Sequence, residues 1–418
     1  MGPPLLRRRP GARPRPRGDR ADAGPGAFAG RLPRAPGRPR GGEPRDPDAP
    51  RGRRRRSSRG ARGRGAPPGV REGRLRLRLE AAVRVVYVVE TLQLSGGVKD
   101  IVEQAEGLLR RGHDVSIVTR EARHPWIEVR VPVTVVPAFD ETTIPEADVH
   151  VATWFPTVVP TVRARKARKV FHFSQGYEAL YPNTFHRLDE IEEAYQQPIP
   201  KLLLSSNLAA QFGGRFPGRL HVLGPAIKVG LYAPPDPDRT ARRDPPTVFV
   251  VGPFGFSIKG VDVALKAVRA LREEGRPIRL LRASQLPLTE EETALCPADR
   301  YAFEASVAEM ARSYQESDLL IHGSYPEEGL GLPPFEAMAS GTPVVMTAIP
   351  SLDLLPADSV SRARPGDWEG LAREAARLLD DPALWAERRK RGLEVVREFD
   401  LERALDRLEA VLFSEEPA

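Results

Sequence analysis

The chain is poor in several things that would otherwise guide its assignment. It has one cysteine, Cys296, so no internal disulfide framework is available, and such usage fits a reducing compartment. No apolar run approaches the ~20 residues that a membrane-spanning helix needs. Arg7, Arg8 and Arg9 are followed by proline, glycine and further arginine, with no apolar stretch behind them, which argues against a secretory signal. No His, Cys or carboxylate cluster has metal-ligand spacing, so no catalytic metal is expected. The first strand–helix turn lacks G-x-G-x-x-G, which leaves a dinucleotide oxidoreductase weakly supported.

Charge is distributed unevenly. Residues 1–70 hold 20 Arg against 5 Asp or Glu, a net of +15; the chain total of +8 therefore leaves −7 for the remaining 348 residues. The basic character belongs to the tail. Residues 1–78 are Arg, Pro, Gly and Ala with almost no aromatics, and cannot bury enough apolar surface to offset the entropy of ordering. They are expected to be a disordered basic tail. Without interleaved aromatics or a nucleic-acid fold signature nearby, no nucleic-acid partner is expected.

From residue 79 the pattern alternates between strand and helix. Val83 to Val89 is a β-branched run typical of a buried parallel strand. Ser95-Gly96-Gly97-Val98 follows and opens a helix running through Leu108-Leu109; Val115 to Thr119 is the next strand. This is a βαβ unit with a glycine pair in its first turn. Asp148–Thr153, Lys169–Phe173 and Lys201–Ser206 read as further strands. Past Lys169–Phe173 stands Ser174-Gln175-Gly176-Tyr177-Glu178, at a strand's C-terminal end, where open parallel sheets bind ligands. His172 lies within that strand and equally fits a core histidine.

Proline-rich connections at Pro234–Asp238 and Asp244–Pro246 introduce a second α/β unit. Asp236-Pro-Asp238 has the form of a metal-binding D-x-D but sits in a linker and is rejected as one. Val248–Val251 starts the new sheet and leads to Gly252-Pro253 and, at the far end of the turn, Lys259-Gly260. Helices at Val261–Glu274 and Val307–Glu316, with a strand at Ile278–Arg282, continue the alternation. Asp367–Leu379 has helical apolar spacing, and Asp400 is placed to cap a last helix carrying Leu401, Leu405, Leu408 and Leu412 on one face.

The chain is organised around Ser324–Thr347. A short apolar strand, Asp318–His322, leads into a loop with two glycines; Pro333-Pro334 suit the first helical positions; Gly341 marks the helix end and Val344-Val345-Met346 the next strand. A glycine-rich loop between a strand end and a helix N-terminus offers N–H groups and a positive dipole end to an anion. Glu328 and Glu336, with seven residues between them, flank it.

The run EGLGLPPFEAMASGTPVV resembles the donor-site signature of family 4 retaining nucleotide-sugar glycosyltransferases. The segments SGGV and LLRRGHDVSIVT resemble that family's opening. The resemblance covers about residues 83–412. It implies an α/β fold of two Rossmann-like domains facing across a cleft (GT-B), divided as tail 1–78, acceptor-side domain 79–228, nucleotide-sugar donor domain 229–395 and a C-terminal helix, 396–418, that crosses back. It implies catalytic roles for Glu328, His172, Gln175 and Glu178. Donor contacts would come from Gly96, Gly97, Lys259, Gly329, Leu330, Gly331 and Glu336, the last on ribose hydroxyls. Pro253 stands where the family usually has an Arg, and Arg282 is a candidate to replace that cation.

The expected activity is metal-independent, cofactor-free transfer of a sugar, with retention, from a nucleoside-diphosphate sugar to a glycan, lipid-linked or small-molecule acceptor hydroxyl. The expected location is cytoplasmic, compatible with peripheral contact at the inner face of the membrane. The same architecture serves sugar-nucleotide epimerases, phosphorylases and degenerate sugar-nucleotide binders, which stay open at this point.

Overall fold

A computed structural model describes residues 82–122 and 126–414; the basic tail lies outside the described residues. Two parallel sheets carry the structure. The first is formed by β1 (Arg84–Thr91), β2 (Asp114–Glu121), β3 (Val133–Val135), β4 (Ala147–Ala152), β5 (Ala167–Ser174), β6 (Lys201–Leu203) and β7 (Leu220–Val222). The second comprises β8 (Thr247–Val251), β9 (Arg279–Ser284), β10 (Arg300–Phe303), β11 (Leu319–His322), β12 (Val344–Thr347) and β13 (Ser361–Ala363). Their orders are β3-β2-β1-β4-β5-β6-β7 and β10-β9-β8-β11-β12-β13. In both, the chain winds outward one way from the starting strand, then returns to its other side. Each sheet therefore has a switch point, between β1 and β4 and between β8 and β11, where the following loops diverge and leave a crevice.

Twelve helices connect and cover the strands among the described residues: α1 (Gly96–Arg110), α2 (Phe155–Ala164), α3 (Leu188–Tyr195), α4 (Ser206–Phe212), α5 (Val229–Tyr232), α6 (Val261–Glu273), α7 (Glu290–Leu295), α8 (Val307–Gln315), α9 (Pro333–Ala339), α10 (Trp368–Asp380), α11 (Pro382–Val395) and α12 (Leu401–Leu412). Local chemistry sets several of their ends. Ser95 caps α1 by accepting from the Val98 N–H; Pro333 and Pro334 open α9 where no donor is needed; Asp400 caps α12. Val85 to Val89 on β1 are buried, as a strand covered on both faces requires.

The two sheets share one core. Val85 and Tyr87 from the first join Phe249, Leu320 and Phe335 from the second in a single apolar cluster. The last helix ties the halves together. The Ile227 N–H donates to Phe399 O at 2.9 Å and the Leu401 N–H to Ile227 O at 2.8 Å, so the chain bridges back just before α12. There α12 lies so close to α1 that a Cβ on Gly107 would meet Leu405 Cδ1 at 2.4 Å, and Arg111 on α1 pairs with Glu402 and Glu409.

One backbone contact sets the geometry of the second sheet's crevice. Gly260, at φ +53°, and Gly323, just past β11, lie face to face; a Cβ on Gly260 would stand 2.0 Å from Gly323 O, and one on Gly323 2.3 Å from Gly260 O. The Tyr325 N–H donates to Ile258 O at 2.9 Å beside them. This approach seats the Lys259 turn against the loop that carries Glu328. Gly260→Ala and Gly323→Ala should each cost about 1–3 kcal/mol, since neither backbone can retreat. Gly255→Ala, with open space at its Cβ, should leave the denaturation midpoint unchanged.

Candidate functional site: a cleft between two switch points

Between the C-terminal strand ends of the two sheets lies a cavity of about 580 Å³, large enough for a cofactor-sized molecule. Its walls include Gly96, Gly97, Gln175, Glu178, Lys259, Glu328, Gly329, Leu330, Gly331 and Glu336. They come from segments distant in sequence that follow β1, β5, β8 and β11. Of the residues expected at the site, His172 is the one that does not reach it.

Glu328 sits in the loop after β11, 5% exposed. The Lys259 ammonium donates to its Oε1, and His322 Nε2 lies 3.4 Å from its Oε2. Burial works against ionisation here, but Lys259 and His322 outweigh it and hold the carboxyl well below the usual carboxylate range. Ser324 Oγ, 2.9 Å from His322 Nε2, fixes the ring. Among the described residues no hydrogen bond reaches Glu328 Oε2, which is buried beside His322. A carboxylate anchored through one oxygen and open at the other suits a ligand hydroxyl.

Glu336, in the first turn of α9, is met from the opposite sheet. Lys99 Nζ of α1 donates to its Oε1 at 2.8 Å and Tyr232 Oη of α5 to the same atom at 2.7 Å. Lys99 also lies 3.6 Å from Glu103, which Lys228 approaches at the same distance. Burial disfavours both charges of the pair, yet Glu336 holds the Lys99 pKa well above its usual range, and Lys99 holds that of Glu336 below. The ion pair thus staples α1 to α9 across the cleft. The sequence reading missed Lys99 and Tyr232. Lys99 had a signal, a cation two residues beyond the glycine pair. Tyr232 had none, standing alone in a proline-flanked linker.

The glycines serve close approach. A Cβ on Gly97 would meet Gln175 Oε1 at 2.2 Å, and one on Gly329 would meet Gln175 O at 2.2 Å. Gln175 is therefore wedged between α1 and the Glu328 loop; its Nε2 donates to Gly97 O at 3.1 Å and to Asp100 Oδ2 at 3.2 Å. Asp100 also accepts from Gln104 at 3.1 Å, and burial pushes its carboxyl up to about 7. Glu178, accepting from the Tyr195 hydroxyl, is likewise raised by burial to about 7.

His172 lies inside β5, fully buried, with its ring edge-on to Tyr195 at 4.7 Å. Burial, with Lys201 beside it, lowers its pKa to about 3, so it stays neutral. It is a packing residue below the floor of the cavity, which corrects the expectation of a catalytic role. Arg282 does not replace a cation at position 253 either. Its guanidinium is buried on Glu292 at 2.7 Å and on the carbonyls of Val250 and Gly252 at 2.6 and 2.9 Å. It braces the end of β8 from behind, while Pro253 lines the cavity. Asp236 and Asp238 are exposed in the linker. Among the described residues no group of three or more His, Cys, Asp or Glu is placed to hold a metal ion, and no helix is long and apolar enough to cross a membrane.

Residues 245–381, nearly the whole second sheet with its helices, match the family model described as Glycosyl transferases group 1. A D-inositol 3-phosphate glycosyltransferase of Xylanimonas cellulosilytica is 26% identical over 328 residues, covering 62% of this chain and 77% of that protein. Two solved structures share the fold. Sucrose-phosphate synthase from Thermosynechococcus elongatus gives a TM-score of 0.65 at 18% identity, over 79% of this chain and 98% of that one. HepE of Anabaena, solved with UDP and glucose, gives 0.64 at 17% identity, over 79% and 100%. Two Rossmann-like sheets with a cleft between their switch points, together with these matches, make the chain a glycosyltransferase of the GT-B type. Within that class it is family 4-like, as its glycine-rich Glu328–Glu336 stretch indicated.

Two outcomes follow from the charges. Lys99→Met should destabilise the fold by about 3–5 kcal/mol by leaving Glu336 buried and unpaired, and Lys99→Met with Glu336→Met should recover most of that loss in chemical denaturation. Glu178 binds its proton more tightly folded than unfolded, so its contribution is fully present below about pH 4.5 and is lost as pH rises through about 7. Glu178→Gln should therefore remove a fall of roughly 3 kcal/mol in stability between pH 5 and 8.

Proposed function

We propose that the cavity binds a nucleoside-diphosphate sugar and transfers its sugar, with retention at the anomeric carbon and without a metal ion, to an acceptor hydroxyl. The observation that carries this reading is the meeting of Lys259 with Glu328 at the second switch point, beside a glycine-rich loop and opposite the N-terminus of α1. HepE, which has the same fold, was solved with UDP-glucose, which supports a nucleotide-sugar donor here.

In this mechanism the diphosphate draws the Lys259 ammonium away from Glu328. The N–H groups at the start of α1 face the same anion beside the Gly329–Gly331 loop, so charge building on the leaving group meets a preorganised positive field. Glu328, released from Lys259, accepts hydroxyls of the donor sugar and sits beside the cationic anomeric carbon. Glu336 faces the ribose. The acceptor oxygen forms its bond to the anomeric carbon on the face from which the diphosphate departs; the carbon–oxygen bond to phosphate breaks, and the hydroxyl proton passes to the departing phosphate oxygen. Closure around both substrates excludes water and favours transfer over hydrolysis.

A thermal-shift panel of UDP-, GDP-, ADP- and dTDP-sugars tests the donor. One base should raise the melting temperature, and Lys259→Met should weaken that nucleotide by roughly 1.5–3 kcal/mol, the value of a charge-assisted phosphate contact. Glu328→Ala should lower turnover by at least about a hundredfold while nucleotide binding persists. Unchanged turnover in Glu328→Ala would refute the assignment of Glu328, and a silent panel would refute the donor.

A further inference from the structure

The donor groups occupy one part of the cavity. Its other part, at the strand ends of the first sheet, is walled by rings. Trp154, following β4, and Tyr181, beyond β5, stack with centroids 6.3 Å apart at 25°. Phe256, from the turn after β8, stands edge-on to Tyr181 at 6.4 Å and 77°. All three line the cavity and keep part of their surface open. This wall reaches the loop that carries Glu328: the Tyr181 hydroxyl and the Gly329 Cα both crowd Gly176, where a Cβ would stand 1.9 Å from the first and 3.3 Å from the second.

A second observation at the same end points to a ligand. Glu90, at the end of β1, lines the cavity and is anchored through Oε1 by Arg120 at 2.9 Å. Its Oε2 is buried and has no hydrogen-bond partner among the described residues. An ionised carboxylate oxygen is an acceptor alone, so a hydroxyl satisfies it and a phosphate is repelled by it. Flat aromatic faces beside a carboxylate with an unpaired oxygen match a molecule with one apolar face and a rim of hydroxyls.

We propose that Trp154, Tyr181 and Phe256, with Glu90, form the acceptor subsite, and that it takes an uncharged sugar or cyclitol ring stacked on Trp154 and donating a hydroxyl to Glu90. The proposal rests on the transferase reading given above and names the acceptor class for it. A phosphorylated sugar or a lipid phosphate is excluded from this position.

The test is calorimetric titration of the whole chain, with and without the nucleoside diphosphate that stabilises it, using methyl glucoside, maltose and myo-inositol against glucose 6-phosphate, myo-inositol 3-phosphate and decyl phosphate. A neutral ring should bind more tightly than its phosphorylated counterpart. Trp154→Ala should weaken it about tenfold, Trp154→Phe should restore most of the affinity, and Glu90→Gln should narrow the preference for the neutral ring, all with nucleotide affinity unchanged. Tighter binding of any phosphorylated probe, or no effect of Trp154→Ala in a variant whose melting temperature is intact, overturns the proposal. Nucleotide binding with no sugar binding sinks the subsite and spares the donor. Trp154-dependent sugar binding without nucleotide binding does the reverse.

Discussion

Two buried carboxylates line the cleft, and each remains ionised because a lysine reaches it. Lys259 meets Glu328 within the second sheet's crevice, and Lys99 meets Glu336 from the first sheet. Leaving either acid unpaired in that setting would cost several kcal/mol or neutralise it. The placement of both lysines is therefore a condition on the fold. Lys259 is held by the Gly260–Gly323 approach, and Lys99 by the capped first turns of α1. The bridge back to α12 keeps α1 in position.

The two pairs differ in what they can do. The first lies on one sheet edge and can open locally when an anion competes for the lysine. The second spans the cleft, so separating it moves one sheet against the other. Tyr232 adds a neutral hydrogen bond to the same oxygen, which lets Glu336 keep one partner if Lys99 withdraws.

Much of this was legible in the residues. The alternation of β-branched runs with 3.6-period segments indicated two parallel sheets, and the spacing of Glu328 and Glu336 around a glycine loop indicated the cleft edge of the second one. Short strands such as Val133–Val135 and Ser361–Ala363 carried no pattern, being three residues each and at or next to a sheet edge. His172 misled because the segment just past β5, Gln175 to Glu178, does reach the cavity; His172 itself lies inside the strand, where residues on both faces are buried. Arg282 misled because charge suggests a ligand, whereas Glu292 lay ten residues ahead to bury it. Lys99 and Tyr232 act through contacts 237 and 104 residues away; the glycine pair before Lys99 marked its turn, but nothing local named its partner.

The most direct measurement is a crystal structure of the chain with the nucleoside diphosphate that stabilises it. The account predicts diphosphate oxygens within hydrogen-bonding distance of Lys259 Nζ, with Glu328 released and facing the sugar position. A diphosphate bound elsewhere, or Lys259 still seated on Glu328 with nucleotide present, would contradict it.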